Sequence, residues 1–267
     1  MPAIVPIDDP ADPRLAVYAA VRERDLVGRS DGLIAEGEVV LRVLLSAGSR
    51  AKPASLLIAE NRLQRLAPLL QTLSEDVPVY LARQGVMDAV VGFHIHRGIL
   101  AHGVRPTDPG AAALLSALPA QALALALIGV SNHDNMGGLF RNAAAFGAGA
   151  VLLDPTCCDP LYRKAIRVSV GAALKVPFAR LAAGEEMVAT LETAGFVPLA
   201  LTPGGAEPLT ALTRPDRAAL LLGAEGPGLP DAILARARRV AIPMAAGWDS
   251  LNVAAASAVA LHELTRR

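Results

Sequence analysis

From about residue 120 onward, the chain alternates short, almost purely apolar runs with runs of helical periodicity. Strands that are buried on both faces of a parallel sheet have continuous apolar sequences, whereas half-exposed strands alternate apolar and polar residues. Five runs are of the first kind: LALALIGV, AVLLD, FVPLAL, AALLLG and RVAIP. Helical periodicity occurs around residues 138–146, 161–173, 184–195, 230–237 and 251–265. This alternation predicts an α/β domain over residues 120–267, with a parallel sheet covered by helices on both faces.

The first part of the chain repeats the alternation on a smaller scale. Strand-like runs are GLIAEG, SLLIAE, VPVYLA and RGILAHG, and helical runs are EVVLRVLLSAG and NRLQRLAPLLQTL. Gly48 stands where the first of these helices is expected to end. The Pro- and Gly-rich stretch GVRPTDPG then marks a boundary. We therefore predict a small α/β domain over residues 1–105, a linker over 106–119, and the larger domain from residue 120.

Composition and charge restrict the class of protein. Apolar residues make up 53% of the 267 residues and charged residues 19%. These proportions are typical of a globular chain with a substantial core. The net charge of zero counts against a strongly basic nucleic-acid binder. However, the segment from Leu161 to Ala183 has no acidic residue and five basic ones: Arg163, Lys164, Arg167, Lys175 and Arg180. Two interpretations stay open here, a solvated helix face and a phosphate-binding patch.

Cysteine usage and apolar stretches bear on the cellular compartment. Cys157 and Cys158 are adjacent, so they cannot readily form a disulfide, and we expect reduced thiols. The N-terminal sequence MPAIVPIDDPADPR lacks the apolar core of a signal peptide. Residues 111–130 carry no charge and are long enough to span a bilayer, but Pro119 and Gln121 interrupt them. The sequence predicts a cytoplasmic protein without a membrane span.

Three connections after predicted strands carry more polar and glycine residues than a turn requires. They are NHDNMGGLFRNAAAFG (132–147), LLLGAEGPGLP (220–230) and AIPMAAGWDSLNVAAASAVALHEL (241–264). Ligands of open parallel sheets bind outside the carboxyl ends of the strands, so these connections predict a binding site. Glu225 is the single charge of the second connection, which is otherwise rich in glycine. In the third, Ser250 is placed to cap the following helix and Asn252 to lie in its first turn, and Asp134 is expected to cap the helix in the first.

In this order, the three connections resemble the three motifs of the SpoU/TrmH family of RNA ribose 2′-O-methyltransferases, within the SPOUT class. DNMGGLFRNAAAFG resembles motif 1, with Asn135 followed by Arg141 six residues later. LLLGAEGPGL resembles motif 2, and IPMAAGWDSLNVAAASAVALHE resembles motif 3. YRKAIRVSVGAALKVP, between the first two, is also typical of the family. Residues 30–105 resemble, more loosely, the L30e-like RNA-binding domain of that family, in IAEGEVVLRVLL and IHRGILA.

The resemblance implies a fold, a cofactor and partners. The catalytic domain would be a parallel α/β sheet with a deep trefoil knot, working as a homodimer whose site borrows residues from the partner subunit. It would bind S-adenosylmethionine through residues of the second and third motifs: Leu222, Gly223, Gly226, Ile242, Met244, Leu251 and Asn252. Trp248 and Asp249 stand before Ser250 where the family commonly has smaller residues, which would alter the lip of this pocket. The RNA would be a ribosomal or transfer RNA.

The resemblance also implies roles in methyl transfer to a ribose 2′-hydroxyl. The catalytic residues would be Arg141, Asn135, Glu225, Ser250 and Asn252, with Arg141 as the main one. A guanidinium stays protonated in proteins and is a poor general base. We therefore expect Arg141 to fix the ribose-phosphate and to stabilise negative charge on the reacting oxygen. The RNA contacts would be Arg141, Arg163, Lys164 and Arg167.

Other functions fit the residues less well. A dinucleotide-binding fold needs GxGxxG between its first strand and helix, but GAGAVLLD precedes a strand and GAEGPG has the wrong spacing. His94, His96 and His102 lack a nearby Cys, Asp or Glu in the sequence, so no metal site is expected. The remaining alternative is a non-catalytic RNA-binding module that keeps the fold. Cofactor binding discriminates between it and an enzyme.

Overall fold

The structure is a computed structural model that describes residues 2–19, 32–182, 186–204, 207–246 and 250–266. Trp248 and Asp249, expected at the lip of the cofactor pocket, lie outside the described residues. The chain forms two compact units. Unit 1 comprises Met1–Pro106 and Leu161–Lys175, and unit 2 comprises Thr107–Pro160 and Val176–Arg267. The segment Leu161–Lys175 lies in sequence within the predicted second domain, yet it packs with unit 1.

The secondary structure alternates strands and helices along the chain. The strands are β1 (Ile4–Ile7), β2 (Gly32–Glu36), β3 (Lys52–Ala59), β4 (Val79–Ala82), β5 (Ile99–Val104), β6 (Ala122–Leu127), β7 (Ala150–Leu153), β8 (Phe178–Arg180), β9 (Val197–Leu201), β10 (Glu207–Pro208), β11 (Arg217–Leu222) and β12 (Arg238–Ala241). The helices are α1 (Glu38–Leu44), α2 (Leu63–Leu70), α3 (Gln84–Val91), α4 (Ala111–Ser116), α5 (His133–Ala145), α6 (Arg163–Val168), α7 (Met187–Thr193), α8 (Asp231–Leu234) and α9 (Val253–Thr265). Short 3-10 turns lie at 13–18, 60–62, 172–174 and 209–211.

Unit 1 is built on a five-stranded mixed sheet with the strand order β1-β4-β3-β5-β2. Strands β1, β4 and β3 are parallel, and β5 runs antiparallel to both β3 and β2. Strand β1 and helix α3 were not predicted. Helix α1 ends at Leu44, so the expectation that it ends at Gly48 is wrong. The chain turns away earlier because the Ser46 backbone N–H and hydroxyl both donate to the Val43 carbonyl, at 3.1 and 2.7 Å.

Unit 2 contains a seven-stranded sheet with the order β10-β12-β9-β11-β6-β7-β8. Every described strand pair in it is parallel, which confirms the predicted parallel α/β sheet. All six residues of β6 are buried, because both faces of the sheet are covered. Its alanines pack with residues of α4 and α7 in one apolar cluster. On α5, Phe140 places its ring edge-to-face with Phe178 of β8, with 5.6 Å between the ring centroids.

The uncharged stretch 111–130 is divided between α4 and β6, and it forms no continuous helix. Among the described residues, no helix is long and apolar enough to cross a membrane.

The parallel arrangement places the candidate residues at one edge of the sheet. Helix α5 follows the carboxyl end of β6, the glycine-rich loop follows β11, and the segment that leads into α9 follows β12. Since carboxyl ends of parallel strands point the same way, the three polar connections meet there.

Candidate active site

Three side chains from the three connections form one hydrogen-bond network. The Asn252 side-chain amide donates to Asn135 Oδ1 at 2.9 Å and to Glu225 Oε1 at 2.7 Å. Asn135 is buried on α5, whereas Asn252 and Glu225 are exposed. Along the chain, Asn135 lies 90 positions before Glu225 and Asn252 lies 27 positions after it. The network therefore joins residues that are distant in sequence.

Asn252 also caps helix α9. Its Oδ1 accepts from the backbone N–H groups of Ala254 and Ala255, at 3.0 and 3.3 Å. The expectation that Ser250 caps this helix is therefore wrong, and Asn252 lies before the first turn, not in it. An N-cap asparagine is among the most favourable choices, because its oxygen satisfies N–H groups that have no partner in the helix. The cap fixes the oxygen of the amide, so the Nδ2 group must point away from the helix, toward the network.

Asn132 plays the corresponding part in α5. Its side-chain oxygen accepts from the Asp134 backbone N–H at 2.8 Å, so Asn132 is the N-cap and Asp134 lies in the first turn. The expectation that Asp134 caps the helix is wrong. An acidic residue in the first turn still interacts favourably with the helix dipole.

Helices α5 and α9 approach closely beside this network. A Cβ atom at Gly138 would stand 2.7 Å from the Ala254 Cβ, so only glycine permits this spacing. One turn further along α5, the Asn142 amide donates to the Ala254 carbonyl and to the Ser257 hydroxyl, both at 2.7 Å. Asn135, Gly138 and Asn142 share one face of α5, because residues three and seven apart point the same way. This face sets the position of the α9 N-terminus.

The glycine-rich loop after β11 folds tightly back on itself. Ala224 and Gly228 form an isolated antiparallel bridge, and the Gly228 N–H donates to the Ala224 carbonyl at 3.0 Å. A Cβ at Gly223 would overlap the backbone of Gly228, so this position requires glycine. The close turn brings Glu225 to the network.

A cavity of about 650 Å³ opens beside the network. All seven predicted cofactor contacts line it: Leu222, Gly223, Gly226, Ile242, Met244, Leu251 and Asn252. Two predicted catalytic residues, Glu225 and Ser250, line it as well. Another part of its wall consists of residues that were not predicted: Leu201, Thr202 and Pro203. They lie at the carboxyl end of β9, and this position after a buried strand is the signal that could have identified them.

Arg141 lies outside this group. It is exposed on α5 and is not among the residues that line the cavity. Arg141 precedes Asn142 by one residue, so its side chain leaves the helix about 100° away from the side that faces α9. Within the described part of the chain, no hydrogen bond or ion pair of its guanidinium is found. The structure thus brings Glu225, Ser250 and Asn252 to one cavity, joins Asn135 to them through Asn252, and leaves Arg141 exposed on α5.

The predicted basic stretch is divided between the two units. In unit 1, Arg163 is only 13% exposed and donates to Glu36 at 2.6 Å, so it is not a solvated helix residue. Arg167 is more exposed and lies 3.6 Å from the same carboxylate. In unit 2, Arg180 donates to the carbonyls of Asp154 and Cys157, both at 2.8 Å, and thus braces the loop after β7.

For the cysteines and histidines of the described residues, burial and neighbouring groups decide thiol reactivity and metal binding. Cys157 and Cys158 are both free thiols. Burial, together with the nearby Asp154 carboxylate, raises the pKa of Cys157 to about 12. His94 contacts Asp88 at 2.7 Å and stacks edge-on with His96. In the described ranges, no cluster of three or more His, Cys, Asp or Glu residues is arranged to hold a metal ion.

The fold is that of known RNA methyltransferases. An S-adenosylmethionine-bound rRNA methyltransferase from Sinorhizobium meliloti has a TM-score of 0.80 and 22% identity, covering 98% of this chain and 97% of its own. A structure described as an RNA 2′-O ribose methyltransferase has a TM-score of 0.77 and 23% identity, covering 97% and 98%. At this identity the likeness establishes the fold. The S. meliloti protein holds the cofactor that the motifs predict for this chain.

Sequence similarity establishes the family. The model of the SpoU rRNA methylase family matches residues 122–262. Uncharacterised tRNA/rRNA methyltransferases of Mycobacterium bovis and Mycobacterium tuberculosis are 42% identical over 97% of this chain and 90% of their own length. The chain belongs to the SpoU family of RNA methyltransferases.

Proposed function

We propose that this protein transfers a methyl group from S-adenosylmethionine to a ribose 2′-hydroxyl of a ribosomal or transfer RNA. The observation that carries the proposal is the network of Asn135, Asn252 and Glu225 at the edge of the 650 Å³ cavity. Family membership supports RNA methylation, and the 2′-O ribose methyltransferase of the same fold supports the choice of acceptor.

The cavity fits the cofactor in size and chemistry. Its volume is about 650 Å³, which is within the ordinary range for small-molecule sites. Leu251 is 48% exposed at its edge. Such an apolar surface is one that a purine or ribose would cover. Ile242 and Met244 add apolar walls, and the Gly223 turn brings backbone polar groups to the same space. When bound, S-adenosylmethionine supplies an electrophilic methyl group on a sulfonium centre.

The network would hold its side chains in place beside the bound cofactor. The Asn252 side chain is held both by its cap to α9 and by its bonds to Asn135 and Glu225. It therefore loses little further conformational entropy when RNA binds. Ser250 lines the cavity beside it and would contact the ribose. In the reaction the ribose oxygen forms a bond to the methyl carbon as the carbon–sulfur bond breaks, and the hydroxyl proton leaves to solvent.

Arg141 binds the acceptor and not the cofactor in this proposal. Its fork of N–H donors suits a ribose-phosphate and stabilises negative charge on the 2′ oxygen. Its position on the open side of α5, away from the residues that line the cavity, supports completion of the site by a second subunit. We therefore propose a homodimer in which each active site takes Arg141 from the partner.

The remaining parts of the chain are assigned by the resemblance. Unit 1 is proposed as the L30e-like domain that selects the RNA. A trefoil knot in the C-terminal part of unit 2 is proposed from the resemblance alone. Lys164 and Arg167 are proposed RNA contacts, whereas Arg163 is proposed to hold Glu36, because that ion pair leaves it largely buried.

The test is transfer of tritiated methyl from S-adenosylmethionine to total RNA of a strain lacking this gene. We expect label at a ribose with the wild type, and a loss of at least a hundredfold with Arg141→Ala. Arg141→Lys keeps the charge but loses the fork, and we expect it to stay near the alanine level. Arg83→Ala, at an exposed ion pair of unit 1, is the matched control and should label normally.

Three results would contradict parts of the proposal. Near-normal labelling by Arg141→Lys would remove the role of the guanidinium fork. Label on a base after nuclease digestion would replace the ribose as acceptor. If the wild type neither labels RNA nor binds the cofactor in calorimetry, the chain is a non-catalytic RNA-binding module.

A further inference from the structure

A second cavity, of about 460 Å³, lies wholly within unit 1. Its walls come from the start of α1, from the segments around α2 and β5, and from the α6 region that packs into this unit. Four arginines, one histidine and two carboxylates line it: Arg62, Arg65, Arg97, Arg167, His96, Glu36 and Glu38. Cations therefore outnumber anions around this space.

Glu36 gathers the arginines on one side of the cavity. This carboxylate is 6% exposed at the end of β2. It accepts a hydrogen bond from Arg163 at 2.6 Å, and the guanidiniums of Arg167 and Arg97 stand further off, at 3.6 and 3.9 Å. Arg163 is thus the one close partner of Glu36 among these three arginines. Arg167 and Arg97 are held nearby by longer-range attraction, and the distances leave their N–H donors available.

The other side of the cavity has a similar surplus of donors. Arg65 pairs with Glu38 at 2.8 Å, and Glu38 also holds Arg42. Arg62 has a single long bond to the His96 carbonyl, at 3.4 Å. Its Nε is buried, and among the described residues it has no hydrogen-bond partner. A buried donor on a charged group without a partner is costly, so the neighbours of this guanidinium satisfy it poorly.

The cavity also has an apolar side. Val39 is 58% exposed beside Gly37, and Leu66 and Ile99 complete this wall. The space of about 460 Å³ is thus lined both by cations and by exposed aliphatic surface. This combination suits a nucleotide better than a bare phosphate. A flat acidic protein surface would not enter it.

We propose that this cavity binds one nucleotide of a single-stranded RNA segment, with its phosphodiester between Arg62, Arg97 and Arg167 and its base against Val39. The proposal rests on the proposed RNA substrate and gives unit 1 a specific contact with it. Glu36 acts as a positioning residue, because it orients Arg97 and Arg167 and touches no RNA.

The experiment measures binding of fragmented total RNA, from a strain lacking this gene, over about 50 to 200 mM salt. Arg97→Ala and Arg167→Ala should each weaken binding about tenfold, as expected for loss of a charged hydrogen bond. Each should also make the salt slope shallower by about 0.7, the value for one single-strand phosphate contact. Arg83→Ala removes the same charge from an exposed site of unit 1 outside the cavity, and should change neither quantity.

A second readout locates the contact directly. Ultraviolet crosslinking of the wild-type protein to the same RNA should attach nucleotides to the peptides that contain Val39 or Arg97. Val39→Asp should remove those crosslinks and weaken binding, while thermal unfolding stays close to that of the wild type because Val39 is exposed.

The outcomes separate this proposal from the proposed reaction. If the wild type methylates RNA, but Arg97→Ala and Arg167→Ala bind it as tightly as Arg83→Ala, the cavity site is overturned and the reaction stands. If no methyl transfer occurs, but these two variants still lose affinity and salt dependence, the cavity site stands and the reaction fails. Crosslinks confined to other peptides, or equal competition by polyglutamate, would also overturn the cavity site.

Discussion

Replacing Asn252 with alanine tests the central arrangement, because this side chain has three tasks. Its oxygen caps α9, and its amide donates to Asn135 and Glu225. Loss of an N-cap costs about 1 kcal/mol. Leaving the buried Asn135 oxygen without a donor costs about 1–3 kcal/mol. The bond to Glu225 is exposed and adds at most about 1 kcal/mol.

We therefore expect Asn252→Ala to lower the free energy of unfolding by roughly 2–5 kcal/mol, which corresponds to a Tm lower by roughly 4–20 °C. Asn132→Ala is the matched control. Asn132 caps α5 in the same way but has no described bond to the network. Its loss should therefore cost only the capping term of about 1 kcal/mol. Thermal denaturation gives the stabilities, and calorimetry with S-adenosylmethionine gives the cofactor affinity, which should fall only in Asn252→Ala.

Asn252→Asp separates the cap from the network. Aspartate caps helices as well as asparagine does, but it has no amide to donate and places a carboxylate against Glu225. We expect Asn252→Asp to keep the capping contribution of about 1 kcal/mol that Asn252→Ala loses, with the cofactor affinity lowered in both. Lowering the pH should return part of the stability of Asn252→Asp, because the folded state then takes up a proton that restores a donor. If Asn252→Ala unfolds no earlier than Asn132→Ala, the bonds of Asn252 to Asn135 and Glu225 do not stabilise the fold.

Three further predictions follow from glycine contacts and thiol burial. Gly138→Ala should weaken cofactor binding and lower Tm, because the new Cβ would stand 2.7 Å from a side chain of α9. Gly85→Ala, in open space on α3, should instead raise stability by about 0.5–1 kcal/mol, and a Tm rise in both variants would contradict the close helix approach. Gly223→Ala should abolish cofactor binding in calorimetry, since its Cβ would overlap the backbone of the same loop; a wild-type affinity would show that the loop opens freely. Cys157 should stay unmodified by a thiol reagent at about pH 8 and react on unfolding, because burial raises its pKa to about 12; rapid labelling of the native protein would contradict this burial.

The strands of unit 2 were predictable because burial on both faces leaves a continuous apolar sequence that few other structures produce. LALALIGV and AALLLG became β6 and β11, adjacent and parallel in the sheet. Short edge elements were missed, since β8 and β10 contain three and two residues and leave no periodic signal. Strand β1 was missed because its residues are mixed with prolines and aspartates at the N-terminus.

The candidate site was predictable in its members and less so in its geometry. Asn135, Glu225 and Asn252 stood out because polar residues followed apolar strands, and the family motifs linked them. The capping roles were misassigned, because Ser250 and Asn252 have almost the same local preference for an N-cap. They lie two positions apart, and only the packing of α9 against α5 decides which one begins the helix.

The sequence by itself determined the alternation of strands and helices, the parallel sheet and the family, since these depend on periodic burial and on short motifs. Only the tertiary structure decided which residues share a surface. The basic stretch shows the difference: its sequence is continuous, yet Arg163 is buried against Glu36 in unit 1 and Arg180 braces a loop in unit 2. The physical reason is that a charged side chain pairs with whichever group the fold brings within a few ångströms. For Arg163 that group is Glu36, which lies 127 residues away along the chain.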